Sequence, residues 1–153
     1  MSHDLTLDHL KNLGLDRVCN GNKEAEDFIR AFGDFSRAAD DLIDVGPWTR
    51  EAVFKTLALG ARLYSCPFYI KHSARFQTII LATNALWATS VKWEKDEKLW
   101  RRQWADVLRH IDVLVFSTVA LITTGYDLMH EFSEAWMAAG YLTHANKYGV
   151  PHD

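Results

Sequence analysis

The sequence predicts an all-α fold: one domain over residues 1–153, built as a helical bundle of five main helices plus a short N-terminal helix, with a buried central helix at about 99–124. Three observations carry this. Apolar residues recur at steps of three and four through most of the chain, Gly and Pro punctuate it at helix-length intervals, and the connections left between are short enough to favour antiparallel neighbours. At 153 residues and 48% hydrophobic, the chain can bury one core without metal or disulfide staples.

The elements follow in order. Leu5, Leu7, Leu10 and Leu13 give a short amphipathic helix closed by Gly14. Cys19 to Asn22 reads CNGN, where Asn-Gly is turn chemistry and Asn22 can accept from the first free amides of the next helix. From Lys23 to Val45, Phe28, Phe32, Phe35, Ala39 and Leu42 alternate steps of four and three, which draws the seam of a bundle helix, and Gly46-Pro47 stops it. Thr49 caps a helix reaching about Tyr64, in which Ala58, Gly60 and Ala61 permit close approach. Pro67 suits a first turn, and one long helix is expected from Phe68 to about Trp93, with Phe68, Phe76, Ile79, Ile80, Thr83, Leu86 and Trp87 on one side. The mixed-charge WEKDEKLWRR, Trp93 to Arg102, connects it to the central helix or forms a solvated helix end.

The central helix changes character along its length. Its first half is amphipathic, with Trp104, Val107, Leu108, Ile111 and Val115 on one side and Arg102, Asp106 and His110 on the other. From Val113 to Ile122 apolar residues cover every side, so that half needs neighbours all round. The run is rich in β-branched residues, yet the helical pattern leading into it and its total length favour helix over strand. Gly125 then permits a turn, and a last helix is expected over Asp127 to Asn146, closing near Gly149 and Pro151.

A formal net charge of -3 gives no basic stripe, so nucleic acid is disfavoured as a partner. Cys19 and Cys66 form no CxxC spacing and read as reduced, intracellular thiols. The start lacks the pattern of a signal peptide, and the longest apolar run is about half the roughly 20 residues a bilayer span needs, so the expectation is a cytoplasmic protein with no membrane partner.

Asp40-Asp41-Leu-Ile-Asp44 is the sharpest local pattern. It resembles the DDxxD motif of isoprenyl diphosphate synthases, whose aspartates hold Mg²⁺ against a substrate diphosphate. The resemblance covers five residues. It implies metal ligation by Asp40, Asp41 and Asp44, completed by Asp127 and Glu131, with Arg50, Lys55, Arg62, Lys71 and Arg75 meeting the phosphates. The competing and simpler reading is a surface ladder, since Asp27, Arg30, Asp34, Arg37, Asp41 and Asp44 succeed one another at steps of three or four opposite the Phe seam. A third reading takes Asp127 and His130 as half of a di-metal carboxylate bundle site, to which Asp106 and His110 add an imperfect second step. His72 reads as a core histidine, and no histidine stands between Trp87 and Trp100 where a haem ligand would be sought, so haem is not expected.

Trp87, Trp93, Trp100 and Trp104 surround the charged connector, and aromatic-plus-Arg surfaces are typical of binding hot spots. The preferred reading is therefore a protein that works by binding a partner protein or itself through this Trp-rich region, without a cofactor; Mg²⁺-dependent catalysis on a diphosphate substrate and a di-metal bundle are the alternatives. No Gly-rich phosphate loop, nucleophile elbow or Zn-type Cys/His spacing is present.

Overall fold

The computed structural model describes residues 14–44 and 48–148, with side chains to Gly140. Every regular element among them is a helix: α1 (Leu15–Cys19), α2 (Lys23–Asp44), α3 (Arg50–Ser65), α4 (Pro67–Lys71), α5 (Ser73–Trp93), α6 (Leu99–Leu108), α7 (Val113–Thr123) and α8 (Tyr126–Tyr148). The chain divides into two compact units, Met1–Ser73 and Ala74–Asp153. The leading Leu helix, Gly46-Pro47 and the Gly149/Pro151 stop lie outside the described residues.

In the first unit, the left-handed backbone of Asn20 and Gly21 makes the turn that the Asn-Gly pair suggests. Asn22 Oδ1 accepts from the Ala25 amide at 3.1 Å, so α2 starts on a side-chain cap. The Phe seam is buried at Phe28 and Phe32, which are joined inside by Ala25, Ile29, Ala31 and Ala38. α2 and α3 run antiparallel: the Phe35 ring meets Gly60 where a Cβ would stand 3.1 Å away, and Arg62 reaches Asp34 at 3.2 Å. Gly60 thus brings the two helices together at a point where an alanine methyl would press on the Phe35 ring, which would have to give by a few tenths of an ångström. Phe28 continues the seam onto Phe68 and Tyr69 of α4, at ring distances of 5.7 and 6.3 Å.

Thr49 caps α3 by accepting from the Ala52 amide at 3.1 Å. Thr49→Ala leaves that amide to water and lowers stability by about 1 kcal/mol, measured by denaturant unfolding. Pro67 is the first residue of α4, as its missing N–H allows, but α4 ends after five residues. The expected Phe68–Trp93 helix is therefore two helices. His72, at φ -117 and ψ 19, interrupts it, and the His72 amide closes α4 by donating to the Phe68 and Tyr69 carbonyls. Phe76, Ile80 and Thr83 of α5 are buried, whereas Ile79, Leu86 and Trp87 are half-buried.

In the second unit, the stretch expected as one central helix is also two, α6 and α7, joined through Arg109–Asp112. The backbone does not open there. The amides of His110, Ile111, Val113, Leu114 and Val115 donate to carbonyls three residues back, so the chain tightens to 3₁₀-like bonding and turns the following helix about its axis. α7 is buried at Val113, Val115, Phe116, Ser117, Thr118, Val119 and Ala120, leaving only Leu114 and Leu121 as exposed large residues.

α7 and α8 form an antiparallel hairpin turned at Gly125, whose φ of 118 suits glycine. Three contacts fix its register: His110 on Gly140, Phe116 between Phe132 and Trp136, and Ser117 Oγ to Ser133 Oγ at 2.7 Å. Ser133 gives its one proton to the Met129 carbonyl, so Ser117 is the donor of that bond.

Candidate interaction surface

The charged connector before α6 is a built element. Asp96 organises it. One carboxylate oxygen accepts from the Lys98 amide at 2.9 Å and the other from Arg101 Nη1 at 2.7 Å, while Arg102 donates to the Asp96 carbonyl at 2.9 Å. The Arg101 hydrogen bond, helped by the Lys98 amide, holds the Asp96 carboxyl below its usual range. A second tie joins Arg109 to Glu94 across the length of α6.

Arg101, fixed by Asp96, lies over two indoles, 5.7 Å from the Trp93 ring and 5.3 Å from the Trp100 ring. The two rings meet edge to face at 5.7 Å. An aromatic pair with a guanidinium stacked on it is an ordered cluster, which would have little side-chain entropy left to lose on docking.

On the apolar side of α6, Trp104 is 55% exposed and Val107 is exposed with it, alongside Leu99 and Trp100 at 50%; Trp100 and Trp104 belong to the Trp-rich region that the sequence offers as a surface. Leu108 and Ile111 are half-buried, and of the apolar set only Val115 is sealed. The polar side is the anchored one: Arg102 bonds the connector, an Asp106 carboxylate oxygen is sealed from solvent, and His110 packs on Gly140. Ala105 is the one fully buried residue of α6. This helix packs by a small residue and shows its large ones. Trp87 and Trp93 are half-buried, so the four Trp grade from partly enclosed to open.

The other candidate residues are placed as follows. Asp40 is half-buried and Asp41 and Asp44 are exposed at the end of α2, in the first unit; Asp127 and Glu131 are exposed on α8, in the second. Among the described residues no group of three or more His, Cys, Asp and Glu gathers as a metal site requires. Arg50, Lys55, Arg62, Lys71 and Arg75 are all exposed. The surface ladder on α2 exists in altered form. Arg30 pairs with Glu26 at 2.8 Å, Lys23 with Asp27 at 3.1 Å, and Asp34 with Arg62 of α3. His72 is half-buried with its ring 4.8 Å from Phe68, and the exposed His130 stacks on Tyr126.

Both cysteines are free and buried, and burial pushes the Cys19 thiol up to about 12 and raises that of Cys66. Thiols held protonated in this way are poor nucleophiles. Among the described residues no helix is long and apolar enough to cross a membrane. No family model, no curated protein and no solved structure matches this chain.

Proposed function

We propose that this chain works by protein binding, through the face of α6 that carries Leu99, Trp100, Trp104 and Val107, and that self-association across this face is its simplest form. The observation supporting this reading is the orientation of α6: a helix with two Trp at its disposal buries Ala105 and turns both indoles outward. Removing large apolar side chains from water is the main drive to folding, so leaving them outside forgoes a few kcal/mol that a docked partner recovers. The Asp96–Arg101–Trp93–Trp100 cluster holds the rim of the face rigid before any partner arrives.

Pairing two copies about a twofold axis would set Trp100 and Trp104 of one chain against those of the other. Light scattering on the eluting full chain is expected to give a mass above 17.5 kDa at micromolar concentration. The Trp100→Ala/Trp104→Ala double variant is expected to run as a monomer with unchanged helicity, a loss of binding of tenfold or more, since buried interface Trp are typical hot spots worth about 2 kcal/mol or more. A monomeric wild-type chain whose exposed indoles are also fully open to iodide quenching in cell extract would defeat the proposal.

A further inference from the structure

The net charge of -3 conceals a segregation. Residues 1–44 hold ten acidic and five basic side chains, whereas residues 45–92 hold six basic ones against the single acid Glu51. α3 lies in that basic stretch and has two different faces. Gly60 and Leu63 are buried, with Gly60 against Phe35 of α2, and Thr56 donates weakly to the Ala38 carbonyl at 3.4 Å. On the other face Phe54, Leu57, Ala61 and Tyr64 follow at steps of three, four and three, all exposed, Phe54 at 68% and Leu57 at 63%. Trp48, 71% exposed, stands just before the helix.

Lys55 and Arg62 flank the apolar row with Glu51 on the same side, and Arg50 opens the helix. Arg62 is paired with Asp34; Arg50 and Lys55 make no ion pair among the described residues. α2 packs on the Gly60–Leu63 face of α3; at the edge of the row its Phe35 meets Tyr64 at a ring distance of 6.5 Å and its Asp34 pairs with Arg62, which leaves Phe54, Leu57, Arg50 and Lys55 clear of it.

We propose that the outward face of α3 docks on an anionic lipid surface, with Phe54, Leu57 and Trp48 entering the interface and Arg50 and Lys55 meeting the headgroup phosphates. Charge complementarity decides the occupant. A row of aliphatic and aromatic side chains beside unpaired cations, on a helix whose other face is packed in protein, is the arrangement of an interfacial helix. Nucleic acid fits less well, because its backbone offers phosphates but no apolar layer to cover an exposed Leu-Phe row. With no described helix able to span a bilayer, the attachment is peripheral.

The test is sedimentation of the full chain with vesicles of phosphatidylcholine alone or with about 30% phosphatidylserine. Binding is expected only to the anionic vesicles and to weaken as salt is raised. Phe54→Ser/Leu57→Ser should lower it at least tenfold with helicity and melting midpoint unchanged, because both side chains are already solvated; Lys55→Gln should lower it about fivefold. Trp100→Ala/Trp104→Ala should leave it intact, which separates this surface from that of α6. Failure to sediment with anionic vesicles, equal binding to neutral ones, or full binding by the folded Phe54→Ser/Leu57→Ser variant overturns the proposal. So does transfer of the variant's effect to oligonucleotide binding or to self-association without any vesicle binding.

Discussion

Phe116→Ala is expected to destabilise the second unit by about 3–5 kcal/mol, against a total of roughly 5–15 kcal/mol for a domain of ordinary stability. The Phe116 ring is 1% exposed and sits 6.5 Å from Phe132 and 5.2 Å from Trp136, which are themselves 5.7 Å apart. Truncation removes the ring that both α8 aromatics close upon, and neither can follow it, because Ser117–Ser133 and His110–Gly140 pin the hairpin on either side. The Trp136 indole N–H, buried without a partner among the described residues, then gains access to water, so its fluorescence should shift red in the folded variant. Phe54→Ala supplies the control. That ring is already in solvent, and its loss should change unfolding free energy by no more than about 0.5 kcal/mol. Urea melts of the two variants test the assignment of inside and outside directly, and equal losses would refute it.

Where structure was legible in the sequence, the deciding interactions are local. Asn22 and Thr49 bond amides three residues on, Pro67 starts a helix because of its own missing N–H, and Phe28 and Phe32 lie on one stripe by geometry alone. α1 was missed because five residues carry too little periodicity to be seen. The break at Arg109–Asp112 contains no Gly or Pro, yet a trace of it was present: the apolar pattern is one-sided up to Leu108 and all-round from Val113. Two patterns that different ask for two orientations, and a continuous helix offers one.

The Trp-rich region was legible as a surface, but the cause of the outward turn of α6 was not, since it depends on partners remote in sequence. Glu94 captures Arg109, the connector carbonyl captures Arg102, and Gly140 admits His110, so the polar side of the helix is drawn in and the Trp side out. Hydrophobic periodicity identifies an apolar face; it does not say whether the cover comes from the same chain. The acidic end of α2 shows the opposite limit, because a five-residue resemblance specifies no assembly of ligands.

Asp112→Asn is expected to stabilise the protein at pH 8 and to leave it nearly unchanged at pH 4. Asp112 begins α7 without capping it through its side chain, and its Oδ1 is sealed from solvent with no hydrogen-bond partner among the described residues. Burial pushes its carboxyl from 3.8 up to about 7, with the amides of Val113 and of Asp112 itself pulling the other way. The sign follows from proton binding. Between about pH 4 and pH 7 the folded chain keeps a proton that the unfolded chain has released, so stability falls as pH rises through that window and levels off above it. The full linkage sets a ceiling of a few kcal/mol, and a neutral amide that still needs partners recovers about 1–2 kcal/mol of it, or several degrees in melting midpoint. Asp96→Asn runs the other way. Its carboxyl is held low by Arg101, so its contribution is present above the usual carboxylate range and disappears on acidification below it. Melting midpoints of the wild type and both variants from pH 4 to pH 8 separate these effects. An Asp112→Asn variant whose advantage over wild type does not grow from pH 4 to pH 7, or that is less stable than wild type at pH 8, contradicts a buried unpaired carboxyl at the junction of α6 and α7.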